Sequence, residues 1–145
     1  MGKEDKVIGL VSVIKEFKPN VIYVPYFIDW HEEHILTMQL LASALKELLK
    51  NLREKILVAM YQVSVPIDSC FINASIPMNK KDLIKKWEVF KSFYKTQLII
   101  PYVRFAATEH INGKYTSSYA SEVFSIMKSD EWVEKIEIFK LNKNE

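Results

Sequence analysis

The sequence predicts a mainly α-helical protein, an antiparallel bundle of three to four helices that forms a single domain over residues 1–145. Apolar residues recur at steps of three and four from Ile35 to Ala59 and again from Leu83 to Phe105, as on the buried face of a helix. Glycine and proline are scarce, at 3 and 5 residues, which disfavours a turn-rich β-sandwich. Each helix would bury its apolar face against its neighbours.

Composition narrows the class of protein. The net charge is only +2, from 20 basic and 18 acidic residues, so no global footprint for nucleic acid is present. No apolar run approaches the roughly 20 residues that cross a bilayer, and no leader pattern is visible. Cys70 is the single cysteine and excludes an intramolecular disulfide. We therefore expect a cytoplasmic protein with no membrane partner and no cofactor.

Residues 1–28 are predicted to form an N-terminal arm or hairpin. Val7–Ile14 and Val21–Ile28 are rich in β-branched and aromatic residues, and the turn signal Pro19-Asn20 separates them. Pro25 lacks a backbone N–H, so the second run would lie at a sheet edge. A small β element formed by the two termini is left open.

Residues 29–140 are predicted to form the helical bundle. The first helix would begin at Asp29, capped with Glu32, and run to about Gln62. The second would begin at Asn79, where Asp82 completes a cap pair. The connector between them leaves open a short helix near Asp68.

The remainder of the bundle is less regular. Asn112-Gly113 predicts a helix end, because both residues tolerate a left-handed cap. A third helix would start at 116–118 and continue through Met127. Trp132–Phe139 fits either a helix or a strand. The spacing of its apolar residues suits a helix, whereas the near alternation of polar and apolar residues suits a strand.

The histidines near the start of the first helix are one candidate site. His31 and His34 stand three apart, so both imidazoles can face one way and, with a carboxylate, hold zinc or a transition metal. The alternative is a polar first turn in which Glu32 and Glu33 favour the positive end of the helix dipole. The second interpretation is preferred, so no metal is predicted.

Arg104 and His110 form the second candidate site. Their spacing resembles the Arg-x4–6-His signature of the HEPN superfamily, helical bundles that include RNA-cleaving enzymes. The resemblance implies that His110 moves protons at the ribose 2′-hydroxyl and that Arg104 steadies the phosphate. Phe105 departs from the polar residue that usually follows the arginine in that family. The alternative is a solvent-exposed arginine and a histidine that favours a helix end.

A basic, aromatic segment is the third candidate. Lysines interleave with the aromatic residues Trp87, Phe90, Phe93 and Tyr94. Helical spacing places these rings in the core and the lysines on a solvated face. That face could bind an acidic partner. Aromatic residues outside the helical stripes are further interface candidates. The predicted partner-binding residues are Lys80, Lys81, Lys85, Lys86, Tyr23, Tyr26 and Trp30.

The layout of the whole chain resembles a small family of helical-bundle proteins from viruses of hot-acid archaea. The shared features are the aromatic arm (residues 21–26), the leucine-rich helix Leu40–Leu52 and the aromatic, lysine-rich helix Lys80–Tyr94. One member, from the two-tailed virus of Acidianus, inhibits the host RNA polymerase, and its paralogue is a virion protein.

The resemblance implies a non-enzymatic interaction protein, and most specifically an inhibitor that occupies the DNA channel of the host RNA polymerase. A nucleic-acid partner is possible but not required. A HEPN-like ribonuclease using Arg104 and His110 is the alternative. A virion structural or DNA-coating protein is the third.

Overall fold

The computed structural model of the chain describes residues 2–28, 31–63, 65–93 and 102–141. These residues form an α/β fold rather than a bundle. The helices are α1 (Lys3–Phe17), α2 (Glu32–Glu47), α3 (Lys50–Arg53), α4 (Lys80–Phe93), α5 (Tyr102–Asn112) and α6 (Ser129–Leu141). The strands are β1 (Val21–Pro25), β2 (Leu57–Tyr61), β3 (Ala74–Met78) and β4 (Ala120–Lys128), and short 3₁₀ turns span Ser69–Phe71 and Gly113–Tyr115.

The four strands form one mixed sheet in the order β1-β2-β4-β3. β1 and β2 are parallel, from the pair Val21–Leu57 to the pair Pro25–Tyr61. Parallel neighbours require a crossover, which α2 and α3 supply. β3 is antiparallel to the first half of β4, with Ala74 opposite Phe124.

The chain divides into two compact units, 1–67 with 125–145 and 68–124. In the first unit, α2 contacts both α1 and α6. Its core joins the strand residues Val58 and Met60, both 0 % exposed, to Leu45 of α2 and Trp132 of α6. Because each helix turns one apolar face to this layer, hydrophobic burial holds the unit together.

The second unit is centred on α4. Leu83 and Trp87 pack with Met78 of β3 and Ala120 of β4, and Phe90 and Phe105 lie against that cluster. The rings of Trp87 and Phe90 meet edge to face, with 5.5 Å between centroids, a favoured aromatic geometry. The interpretation that the aromatic rings of this helix face the core is confirmed for Trp87 and Phe90. It is wrong for Phe93, which is 79 % exposed, and Tyr94 lies outside the described residues.

The predicted helical bundle is wrong. The first helix ends at Glu47, and the apolar residues from Leu57 to Tyr61, expected to continue it, form β2. Residues 116–127, expected to be the third helix, contain the turn that leads into β4. Short apolar runs fit a buried strand as well as a helix, and pairing with neighbouring strands decided between them.

The N-terminal hairpin is also wrong, because Val7–Ile14 lies within helix α1. The first helical turn is secured by Asp5, whose carboxylate accepts a hydrogen bond from Gly2 N at 2.8 Å. Ile14 is buried, so burial along a helix outweighed the β-propensity of this run. The placement of Pro25 in an edge strand is confirmed.

Several end signals read from the sequence agree with the structure. Asn79 and Asp82 cap α4 reciprocally: Asn79 N donates to Asp82 Oδ2, and Asp82 N donates to Asn79 Oδ1, both at 3.0 Å. A 3₁₀ turn follows Asp68, and Trp132–Phe139 proves to be helical within α6. The predicted cap at Asp29 lies outside the described residues. So does Pro101, at which the sequence predicts a kink or a break, because proline lacks a backbone N–H.

Gly113 ends α5 for a different reason from the one predicted. None of the described glycines has a positive φ, so the left-handed cap is wrong. A Cβ placed on Gly113 would lie 2.5 Å from Ser118 O and 3.1 Å from Tyr119 C. Glycine is needed because the backbone of the following turn passes against it.

Gly113→Ala is expected to lower the free energy of unfolding by about 2 kcal/mol, because the backbone must shift to admit the methyl group. Gly9→Ala is the matched control: its Cβ meets nothing within 4 Å, and it should raise stability by about 0.5 to 1 kcal/mol by favouring the helix. Urea denaturation of both variants measures the two changes. If Gly113→Ala and Gly9→Ala change the free energy of unfolding by the same amount, the close backbone contact does not constrain position 113.

Candidate functional site

The histidine pair lies where α2 begins. His31 is the residue preceding the helix and His34 lies one turn on. Their rings are stacked, with centroids 4.6 Å apart and planes inclined by 29°. Both side chains are half-buried. The structure therefore brings the two imidazoles together, as the spacing predicted.

The pair follows the carboxyl end of β1. Tyr26 N, immediately after β1, donates a 2.9 Å hydrogen bond to Tyr61 O at the end of β2. The two parallel strands thus finish at the same edge of the sheet. The histidine pair lies on the chain segment that leaves this edge after β1. In open α/β sheets, ligands bind outside the carboxyl ends of the parallel strands, so this edge is a candidate ligand site.

The donor set of this edge fits a metal ion in part. Two imidazoles supply nitrogen ligands of the kind that zinc takes, and Glu32 and Glu33 in the first turn offset the positive helix end that would oppose a cation. Within residues 2–28, 31–63, 65–93 and 102–141, no group of three His, Cys, Asp or Glu side chains could hold a metal. A complete site needs a third ligand, and Asp29, the nearest carboxylate before the pair, lies outside the described ranges.

A second cluster of charged groups lies in the unit 68–124. Lys86 Nζ forms ion pairs with both Glu109 Oε1 and Glu122 Oε1. Glu109 is 8 % exposed, and Lys86 is half-buried. The cluster joins α4, α5 and β4, because each element contributes one member.

Burial governs the protonation of this cluster. Desolvation raises the pKa of Glu109, and the negative charge of Glu122 raises it further. The hydrogen bond and the positive charge of Lys86 act in the opposite direction. Burial alone would lower the pKa of Lys86, but hydrogen bonds and charge from the two carboxylates raise it. A half-buried ammonium that two carboxylates share in this way is a structural tie between three elements.

The sequence missed Glu109 and Glu122 and placed Lys86 on the outer face of α4. A signal was available, because Lys86 lies three residues after Leu83 and four before Phe90, both of which turn inward. Lys80, Lys81 and Lys85 are exposed as expected. Pattern alone does not show which lysine a distant carboxylate will pair with.

The aromatic partner-binding candidates differ in exposure. Tyr23 on β1 is 60 % exposed, whereas Tyr26 is 2 % exposed and its ring contacts that of Phe27. Trp30 lies outside the described residues. Tyr23 alone among the described members of this group offers a surface side chain.

Arg104 and His110 both lie on α5 and are exposed. Six residues correspond to about 9 Å of rise and about 120° of rotation on a helix, so α5 does not bring the two side chains together. His110 Nδ1 instead lies 2.6 Å from Tyr119 O. The mixed sheet also contradicts the helical bundle that the HEPN resemblance implies.

Comparison with known proteins bears on the fold. No family model and no curated protein matches the sequence. The conserved protein TT1542 from Thermus thermophilus is similar in structure, with a TM-score of 0.65 and 20 % identity over 83 % of this chain and 57 % of that one. The A40926 pseudoaglycone deacetylase Dbv21 gives a TM-score of 0.53 and 14 % identity over 88 % and 59 %. The chain thus spans less than three fifths of each.

These similarities correct the functional predictions. The structural neighbours are a Thermus protein and a deacetylase, not helical-bundle proteins of archaeal viruses. Nothing in the fold or the neighbours supports an RNA polymerase inhibitor or a virion protein. The expectation of a non-enzyme is contradicted as well, because one neighbour of the same fold is an enzyme. None of the described helices has the length and apolar character needed to cross a membrane.

Lys86→Met is expected to lower the free energy of unfolding at neutral pH by about 2 kcal/mol, because it leaves Glu109 buried without its cation. Lys85→Met is the control: that exposed side chain should change stability by less than about 0.5 kcal/mol.

The destabilisation should shrink on acidification. Burial raises the pKa of the Glu109 carboxyl in the folded state above its value in the unfolded chain. The contribution of this carboxyl to the free energy of unfolding is therefore full below its unfolded pKa and falls as pH rises through its folded pKa. At about pH 4 the neutral carboxyl needs no ammonium. Denaturation curves at both pH values check this, and an unchanged or larger loss in acid would contradict it.

Proposed function

We propose that this chain is a hydrolase of acetylated small molecules whose active centre lies at the carboxyl edge of β1 and β2. The stacked pair His31 and His34, in the segment that follows parallel strand β1 along the chain, carries the proposal. The structural similarity to a deacetylase supports the reaction type. The activity is a proposal for the chain together with whatever completes its site, since it spans 59 % of that neighbour.

His31 and His34 would supply two nitrogen ligands to a divalent metal ion, with a third ligand from outside the described residues. Such an ion activates a water molecule and polarises a carbonyl oxygen. In the overall reaction, water adds to the acetyl carbonyl carbon and the bond to nitrogen breaks. Acetate and the free amine are the products, so no redox partner is required.

The position of the pair suits this role. His31 precedes the first turn of α2, which is anchored in the core through Met38 and Leu41. Functional groups on a buried element keep their geometry more precisely than groups on a free loop. Half-burial of both imidazoles limits competition from bulk water.

The double variant His31→Ala/His34→Ala is expected to lose bound metal. The chain, loaded with Zn²⁺ or Co²⁺ and freed of excess ion, should retain the ion in a one-to-one ratio, whereas the double variant should bind at least tenfold more weakly. Elemental analysis and the visible absorption of the Co²⁺ form measure this. His110→Ala removes the third of the 3 histidines and should leave both readouts unchanged.

Acetate release from an N-acetylated amino sugar, used as the probe, tests the activity. The metal-loaded chain should release acetate, and the double variant should lose at least a hundredfold of that rate. Metal retention by the double variant, or an equal loss in His110→Ala, would refute the role of the pair. Metal binding without acetate release would refute the reaction but not the site.

A further inference from the structure

Helix α1 turns its inner face to α2 and leaves a regular line of residues on its outer face. α1 contacts α2, and Ile14 on the inner face is 5 % exposed. Lys6, Gly9, Val13 and Glu16 are all exposed. Their steps of three, four and three residues align them along one side of the helix. These four residues form the outer seam of α1.

The outer seam is apolar in the middle and oppositely charged at its two ends. Val13 is 48 % exposed, and Phe17, which flanks the seam beside Glu16, is 74 % exposed. A Cβ built on Gly9 meets nothing within 4 Å, so a partner can approach the backbone closely there. Within the ranges that the structure describes, neither Lys6 nor Glu16 forms an ion pair. The seam therefore runs from positive through apolar to negative.

We propose that the outer seam is an interface between two copies of this chain, whose α1 helices pack antiparallel about a two-fold axis level with Val11. Lys6 of each copy then lies opposite Glu16 of the other, and Gly9 lies opposite Val13, because both pairs are centred on position 11. Two ion pairs close the ends of the interface. Between them, each Val13 side chain fills the space beside Gly9 of the other copy.

A second copy fits the outer seam because the seam is complementary to itself when it is reversed. A line that is positive at one end and negative at the other attracts an identical line in antiparallel direction and repels it in parallel direction. Steps of three and four residues are also the spacing by which paired helices interlock. A two-fold contact of this kind closes on itself and stops further growth.

The dimer should be weak and should depend on concentration. α1 has 15 residues and is therefore about 22 Å long, so one of its faces buries less than the roughly 800 Å² per partner of a standard interface. We expect a dissociation constant on the order of 0.1 mM. Sedimentation equilibrium between about 10 μM and 1 mM, a range that spans this affinity, should show the mass rising from 17.0 kDa toward twice that value.

Charge reversal tests the register of the two helices. Lys6→Glu and Glu16→Lys each place like charges opposite each other at both ends, and each should weaken association at least about fivefold. The double variant Lys6→Glu/Glu16→Lys restores opposite charges and should recover the dimer. Lys15→Glu is the matched control: Lys15 is exposed but lies about 140° around the helix from the seam, so its reversal should leave the dissociation constant unchanged.

Salt and apolar truncation test the two kinds of contact separately. Raising the ionic strength from about 0.05 to 0.5 M should weaken the wild-type dimer and strengthen association of Lys6→Glu, because salt screens both attraction and repulsion. Val13→Ser should weaken association at least about threefold by removing the apolar centre. Ile8→Ser should not, although Ile8 is 65 % exposed, because it lies about 120° away from the seam.

A monomer at every concentration would overturn the proposal. So would a dimer that Lys6→Glu leaves unchanged, or one that the double variant fails to restore, since the contact would then lie on another surface or in another register. Recovery in the double variant also shows that the single variants lose association through charge and not through misfolding. None of these measurements depends on metal or on acetate release, so the histidine site can fail while this interface stands.

Discussion

The parallel pairing of β1 with β2 is the constraint on which the rest of the first unit depends. Parallel neighbours cannot be joined by a tight turn, so the chain must leave one end of the sheet and return to the other. α2 and α3 make that return. The crossover covers the sheet with a helix whose inner residues, such as Leu45, are fully buried. It also makes the helix start at the carboxyl edge, which is where His31 and His34 lie.

The two units rely on different devices for cohesion. In the first, an apolar layer includes Trp132, which is 0 % exposed, and the end of β4 is secured by Ser129, whose hydroxyl donates to Arg53 O at 2.6 Å. In the second, Lys86 ties α4 to α5 and β4 by pairing with Glu109 and Glu122. Such a shared ammonium is costly to bury, and removing one member costs more than the set contributes.

The metal proposal depends on where β1 ends. The segment that carries His31 and His34 follows the carboxyl end of β1 along the chain. β2, which runs parallel to β1, ends at the same edge of the sheet.

The sequence by itself determined the local signals. Asn79 with Asp82 fixed the start of α4, Pro25 indicated an edge strand, and the three-residue spacing of His31 and His34 predicted that their rings would face one way. Each of these depends on contacts within a few residues, which a short stretch of sequence contains in full. Helical spacing also predicted that Trp87 and Phe90 turn inward, but it predicted the same of Phe93, which is 79 % exposed.

Only the tertiary structure decided the fold class and which carboxylates pair with Lys86. The residues 57–61 and 120–128 have apolar spacings that suit a helix, and they became strands because neighbouring strands satisfied their backbone groups. The ion pair from Lys86 to Glu109 joins residues 23 positions apart, and the one to Glu122 joins residues 36 apart. No local pattern encodes which distant segment will come to lie alongside, because that choice belongs to the packing of the whole chain.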